Sequence, residues 1–322
     1  MEFELKVKDI QLKYENNLNQ EDLDKCVFNT ENMNREIIKE KKLINKGKVR
    51  DIFSSVSDED ILLIASDRIS SFDRHLTTIP YKGIVLNKIS TWWFNKTKGI
   101  VPNHILKVPH SRAMIVKKCN VFPIEFVVRA YLTGSTETSI WKNYEKGCRN
   151  YCGHKLPDDM IKNQKLSNII LTPTTKDEKD ELISEKEILE KKIMKRDEWR
   201  ICKEYALKLF KFGQELSEKN GLILVDTKYE FGKDKSGNIL LVDELHTPDS
   251  SRYWFKNSYI ERFNNRKEPE SIDKEIVRKW VKENYKNPYD LDIEINIPDD
   301  LRLNLSSKYL QLHEIITSNT IN

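Results

Sequence analysis

The chain has 322 residues, with 55 Lys or Arg against 51 Asp or Glu and a net charge of +4. That length supports two domains or one large bilobal one, and the interspersed signs leave no basic block of the kind that grips nucleic acid. No window approaches the ~18 apolar residues of a membrane span, and the acidic start MEFELKVKDI resembles neither a signal nor a transit peptide, so the expectation is a cytoplasmic protein with no membrane partner.

In chain order, residues 1–42 are polar, Asn-rich and weakly periodic. They read as an extension with one helix around Asn19–Cys26 and no chemistry. Within it Phe3, Leu5 and Val7 alternate as in a strand that would pair with a sheet edge. From Leu43 the pattern turns strand-like in KGKVRDIF, ILLIASD and MIVKK (Met114–Lys118), with a helix expected over Lys88–Asn95. After Pro123, EFVVRAYL reads as an apolar strand or strand–helix junction. Residues 146–180 are loop-rich, long enough to suspect a functional excursion. Cys148 and Cys152 make a CxxxC pair with no second pair to complete a zinc site; with Cys26, Cys119 and Cys202 they are expected as reduced thiols. Ser184 and Glu187 have capping-box spacing. They open a helical region with Ile201, Tyr205, Leu209, Phe212 and Leu216 on one stripe, closing at Gly221. Leu222–Trp254 reads as a β-hairpin turning at KDKSGN. Helices follow over Lys274–Tyr285 and Asp299–Thr317, with Trp280, Tyr309 and Leu312 in the core.

The hairpin carries the strongest chemical signal. Alternation along a strand puts Asp226, Lys228 and Glu230 on one face. A turn centred near Lys235 would bring Asp243 back almost opposite Asp226. Carboxylates that close repel unless a cation lies between them, and two or three carboxylates with substrate phosphates is how proteins hold Mg²⁺. A solvated hairpin face is the simpler alternative. The TPDSSR run that follows adds Asp249, Ser251 and Arg252.

Neither GxxxxGK[ST] nor GxGxxG occurs, so the P-loop and the dinucleotide fingerprint do not apply. Lys46-Gly47-Lys48-Val49-Arg50 is a glycine turn flanked by cations that can fold over phosphates, although charged hairpin turns of this kind are common. SDRISSFD (Ser66–Asp73) gathers Asp67, Arg68, Ser70 and Asp73 after a buried strand; a capped turn accounts for it equally well. Arg129 sits in an apolar run and needs an anionic partner. A phosphate, helped by the Gly134-Ser135 nest, and the protein's own Glu125 are both open as that partner.

These motifs together resemble the SAICAR synthase family of purine-pathway ligases. KGKVRDIF, ASDRISSFD, PIEFVVRAYLTGS, YCGHKLP, LTPTTK, VDTKYEFG and VDELHTPDSSRYW run in order from Lys46 to Trp254, and SIDKEIVRKW extends the likeness to Trp280. One departure stands out: the family's usual His-Asp pair after TPTTK is Lys179-Asp180 here. The resemblance implies ATP-dependent condensation of CAIR, an aminoimidazole ribonucleotide carboxylate, with L-aspartate through an acyl phosphate. It implies Mg²⁺ on Glu230 and Asp243, and ATP against Lys46, Gly47, Lys48, Val49, Arg50, Lys117, Lys118, Phe122 and Glu125. Lys228, Asp226, Lys176 and Asp180 would be catalytic. Arg129, Ser135 and Arg252 would clamp the ribonucleotide phosphate, with Asp249 and Ser251 nearby, and Asp67, Arg68, Ser70 and Asp73 would receive aspartate. The implied fold is α+β, two-lobed and ATP-grasp-like: after the extension (1–42), a small, mostly antiparallel nucleotide-binding lobe (43–122) and a larger α+β lobe (123–322). The competing functions are another ATP-grasp-like ligase or small-molecule kinase, and a nucleotide-binding protein without catalysis. A second phosphate-bearing substrate separates the first from the resemblance; loss of Lys48, Lys228, Glu230 or Asp243 would mark the second.

Overall fold

The computed structural model of the protein describes residues 2–15, 17–32, 35–39, 41–176 and 180–321. Lys179 of the departing pair lies outside them. The architecture is α+β, built on two antiparallel sheets. Among the described residues no helix is long and apolar enough to cross a membrane.

The N-terminal segment forms helices α1 (Glu2–Glu15), α2 (Gln20–Asp24) and α3 (Arg35–Ile38). α2 falls in the expected window and starts on an Asn19 capping box. α1 takes the place of the strand that the alternation of Phe3, Leu5 and Val7 leaves open as the competing reading. Its decisive residues lie further on: Val7, Ile10 and Tyr14 recur at helical spacing and are buried, and α1 packs on the C-terminal helix. A segment expected to bury little therefore contributes to the main core.

The first sheet runs in the order β1 (Leu43–Lys46), β2 (Arg50–Ser54), β3 (Asp60–Ala65), β7 (Ala113–Lys117), β6 (Ile105–His110). Gly47 turns the chain between β1 and β2, its N–H donating to the Arg50 carbonyl at 2.9 Å. A hairpin of β4 (Arg68–Ser71) and β5 (Arg74–Thr78), then helix α4 (Lys82–Thr97), lie between β3 and β6. α4 is longer than expected and buries Val85, Leu86, Ile89, Trp93 and Phe94.

The second sheet comprises β8 (Asn120–Val121), β9 (Ile124–Leu132), β12 (Gln164–Leu171), β13 (Thr174–Thr175), β14 (Leu222–Lys233), β15 (Ile239–Val242) and β16 (Ser251–Phe255). α5 (Ile140–Glu145) and the small hairpin β10 (Asn150–Tyr151)–β11 (His154–Lys155) separate β9 from β12. The region expected as loop thus contains an eight-residue strand. Its sequence, QKLSNIIL, lacks alternation because it is half exposed on the sheet edge and irregular in register. Ser184 does form the capping box, but only for the short α6 (Glu185–Glu190).

The long α7 (Arg196–Lys219) buries Trp199, Cys202, Ala206, Leu209, Phe210, Gly213 and Ser217. Of the expected stripe only Leu209 is fully buried; the rest flank it. The buried line favours small residues because helix and sheet approach closely. A Cβ on Gly213 would collide with the His246 ring and with Leu224. α8 (Lys256–Asn264), α9 (Glu275–Asn284) and α10 (Asp299–Thr317) complete the chain, with Tyr309 and Leu312 buried as expected and Trp280 partly so.

Candidate active site

β14 is the long central strand, and its register assembles the site. Asp226 lies opposite Arg129 on β9 and opposite Arg252 on β16. Three strands thus contribute one row, with Asp226 Oδ2 accepting from Arg129 at 3.1 Å and Arg252 at 2.6 Å. The partner of Arg129 inside the protein is therefore Asp226, not Glu125, with Thr172 also accepting from its Nε at 2.9 Å. One carboxylate cannot occupy two guanidinium forks. Arg252 Nε and Ser135 Oγ are both buried without a hydrogen-bond partner among the described residues, an unmet demand that an anion would satisfy.

Further along the same face lies a denser cluster. Lys228 Nζ is 2.9 Å from Glu125, 2.5 Å from Glu230 and 4.0 Å from Asp243. Lys176 also pairs with Glu230. The turn after β14 sits later than the sequence suggested, because Asp234 accepts from the backbone of Ser236 and Asn238 and Gly237 takes φ +83°. Glu230 then faces Val242, and Asp243 returns near Glu230 instead of opposite Asp226. Asp243 adopts φ +64°, a strained conformation for a non-glycine residue.

Burial alone would lower the Lys228 ammonium, but Glu230, Glu125 and Asp243 hold it well above the ordinary lysine range. Burial and the neighbouring Glu230 push Asp243 up to about 6, against Arg50. Glu230 is driven down to about 2 because Lys228 and Lys176 outweigh the upward push of its burial. Arg50 reaches across from β2 to Asp243 at 3.4 Å and Glu244 at 2.6 Å.

Two chambers open on this face. One, of about 620 Å³, is lined by Arg129, Asp226, Ser251 and Arg252, with Ser70, Asp73, Asp273 and Arg278 around it. The other, of about 520 Å³, lies against the Gly47 turn and has apolar walls from Val49, Ile52, Ile61, Leu63, Val121 and Val242. It carries Lys117, Lys176, Glu230 and Asp243 at its polar end. Lys48, Ser70, Glu125, Asp180, Lys228, Asp249 and Lys274 line both chambers.

Several residues expected at the site are elsewhere. Asp67 is fully buried and accepts from Val27 N, Gly83 N and Arg112. Arg68 is buried on Asp51 and the carbonyls of Phe28 and Gly47. Both are spent inside the framework, which leaves Ser70 and Asp73 of that motif on the cleft. Lys46 points to Asn29, and Lys118 is exposed; neither lines a chamber. Phe122 is buried in the core while Val121 faces the slot, the one-residue shift that flips a side chain to the other face. Ser135 lines a crevice of about 20 Å³ beside Arg252. Unforeseen were the apolar walls other than Val49, which look like core in sequence, and Lys274, Arg278 and Glu244. SIDKEIVRKW contained the first two, and helical spacing from Lys274 to Arg278 was an available signal.

An apolar slot beside a basic turn is thus continuous with a second chamber built around paired arginines. A family model described as SAICAR synthetase matches residues 43–293. The phosphoribosylaminoimidazole-succinocarboxamide synthase of Legionella pneumophila (strain Paris) is 52% identical over 273 residues, covering 84% of this chain and 86% of that one. The chloroplastic enzyme of that name from Arabidopsis thaliana is 53% identical over 277 residues, covering 86% and 67%. The solved structure of SAICAR-synthase from Saccharomyces cerevisiae complexed with SAICAR superposes with a TM-score of 0.74 at 32% identity, covering 88% of this chain and 96% of that one. By class, then, the protein is an ATP-dependent carboxylate–amine ligase. The chain belongs to the SAICAR synthetase family, which condenses CAIR with L-aspartate to SAICAR in purine biosynthesis.

Proposed function

We propose that the apolar chamber holds ATP and that the arginine chamber holds CAIR, with their reacting groups meeting at Lys228. The observation that carries this reading is the row of charges centred on β14, which runs from Arg129–Asp226–Arg252 in one chamber to Lys228–Glu230–Asp243 in the other. Adenine fits between Val49, Ile61, Leu63 and Val242, with the phosphates under the Gly47 turn and Lys48. The unpartnered Nε of Arg252 and hydroxyl of Ser135, with Arg129 alongside, suit the ribonucleotide phosphate. Aspartate is assigned to the side carrying Ser70 and Asp73.

Among the described residues there is no cluster of three metal-ligating side chains. Glu230 and Asp243 are a two-carboxylate set, the number that suits Mg²⁺ when phosphates complete its shell. The upward push of Glu230 on Asp243 reflects the negative field such an ion would relieve. Bound there, Mg²⁺ would neutralise phosphate charge on ATP.

A carboxylate is a poor acylating agent, so a CAIR carboxylate oxygen first attacks the γ-phosphorus and ADP leaves. The aspartate amine then attacks the acyl carbon and phosphate departs. Lys228 neutralises the charge of the reacting carboxylate, which is what phosphoryl transfer asks of a protein. Lys176, on Glu230, borders the transferred phosphate. Asp180 lines both chambers and is positioned to accept the proton released by the amine. A reducing, cytoplasmic setting is part of this reading, supported by five free cysteines; the Arabidopsis relative is named as chloroplastic, and cell fractionation decides the address.

The test is ADP release with CAIR, with and without aspartate, in Glu230→Gln and Asp243→Asn. Each variant is expected to lose ADP formation while keeping its circular dichroism. Full turnover at saturating Mg²⁺ would assign these carboxylates to the framework.

A further inference from the structure

Asp249 lines both chambers, yet it is carried by the connection between β15 and β16. A carboxylate on such a segment samples several rotamers unless both oxygens are held. Here both are. Lys82, in the first turn of α4, is wholly buried and puts Nζ 2.7 Å from Oδ2. Tyr309, in the middle of α10 and also wholly buried, donates its hydroxyl to Oδ1 at 2.7 Å.

Stability gives little reason for this arrangement. Withdrawing a lysine and a carboxylate from water costs roughly what their attraction returns, and an apolar pair of similar volume serves a core as well. The N-terminal turn of a helix is also the electropositive end, where a cation is least favoured. The residue that introduces it, Tyr81, sits at φ +60°, a further local cost. Burial alone would raise the Asp249 carboxyl, but Lys82 and Lys274 hold it far below the usual range. Lysine, tyrosine and aspartate come from two helices and a loop and converge on one wall of the cleft.

We infer that Lys82 and Tyr309 are positioning residues that fix the Asp249 carboxylate in one orientation toward the ribonucleotide. This rests on the assignment of the arginine chamber, with Asp249 on its wall, to CAIR. Neither residue touches substrate; each acts through Asp249.

Lys82→Met leaves a buried carboxylate without its cation and is expected to fold poorly, so Tyr309→Phe, which removes one hydroxyl from an intact ring, carries the test. Steady-state kinetics are measured on the full chain for Tyr309→Phe, Asp249→Asn and the double variant, alongside thermal unfolding. Tyr309→Phe is expected to raise KM for CAIR about three- to tenfold, leaving KM for ATP unchanged. In the Asp249→Asn background the same substitution is expected to add nothing, because the group it positions has gone. If Asp249→Asn raises KM for CAIR but Tyr309→Phe only lowers Tm, Tyr309 is structural and the inference is overturned. If Asp249→Asn leaves KM for CAIR unchanged, the contact between Asp249 and CAIR fails first and this inference falls with it.

Discussion

The two chambers are built on opposite principles. The arginine chamber is a set of ion pairs in register: Asp226 between Arg129 and Arg252, with Glu275 beyond at 3.5 Å from Arg252. The chamber proposed for nucleotide sets apolar walls from Val49, Ile52, Ile61, Leu63, Val121 and Val242 beside a glycine turn at its mouth. In the proposed reading the first recognises by fixed, nearly dry charges whose geometry exists before substrate arrives. The second adds shape and backbone to the charges it shares with the first and to the Glu230–Asp243 pair. Specificity for the second anionic substrate would then depend on a few side chains, and nucleotide binding on many.

The largest break should come at the shared border. Lys228→Met removes the only cation within 3 Å of both Glu125 and Glu230 among the described residues. Turnover is expected to fall by about a thousandfold or more, with a loss of roughly 3–5 kcal/mol in denaturant unfolding. A variant active within tenfold of the parent would show that the chambers do not communicate through this lysine.

Arg252→Lys tests the ion-paired chamber alone. It keeps the charge and loses the fork, so KM for CAIR is expected to rise about tenfold to a hundredfold while KM for ATP holds. Equal losses for both substrates would mean that the two principles are not separated in space.

A pH titration sharpens the contrast. Burial, with Arg278 and Lys82 nearby, lowers Lys274 to about 8 against the pull of Asp249 and Glu244. The residue is charged below that pH and neutral above it, so binding of anionic CAIR should weaken as pH rises through 8. Lys274→Arg is expected to remove that limb from the pH profile of kcat/KM for CAIR. Because the folded pKa lies below the unfolded one, the unfolded chain binds more protons between about 8 and 10.5, and this group's contribution to stability rises with pH there.

The smallest effects are expected at Lys46 and Lys118. Each is exposed and off the chamber walls, so either lysine changed to Ala should leave KM for ATP within about twofold.

The same contrast explains what could be read in the sequence. Asp226, Lys228 and Glu230 were legible because strand alternation is rigid and charges in an apolar run demand partners. Arg129 announced the same demand but not who meets it, since cross-strand register is a tertiary property. Asp243 was found but placed beside the wrong acid, because the turn was taken too early. The walls Ile52, Ile61 and Leu63 were invisible as ligand contacts: apolar residues on strands look alike whether they face a core or an adenine. Asp67 and Arg68 show the reverse error, charged residues in a motif that serve the framework. β12 and α1 were missed because one is an irregular edge strand and the other draws its stability from a partner some 300 residues away.

That last pairing has a consequence for how the protein is made. α1 is made some 300 residues before the helix it packs on; Tyr14 donates to Glu314 at 2.6 Å. Until α10 is made, Val7, Ile10 and Tyr14 lack its cover, and Asp249 has no Tyr309. Both gaps close only with α10, which carries Tyr309 and Glu314 alike. A chain stalled before Tyr309 would therefore carry an exposed apolar helix together with an unfinished cleft, which makes such fragments substrates for chaperones and proteases.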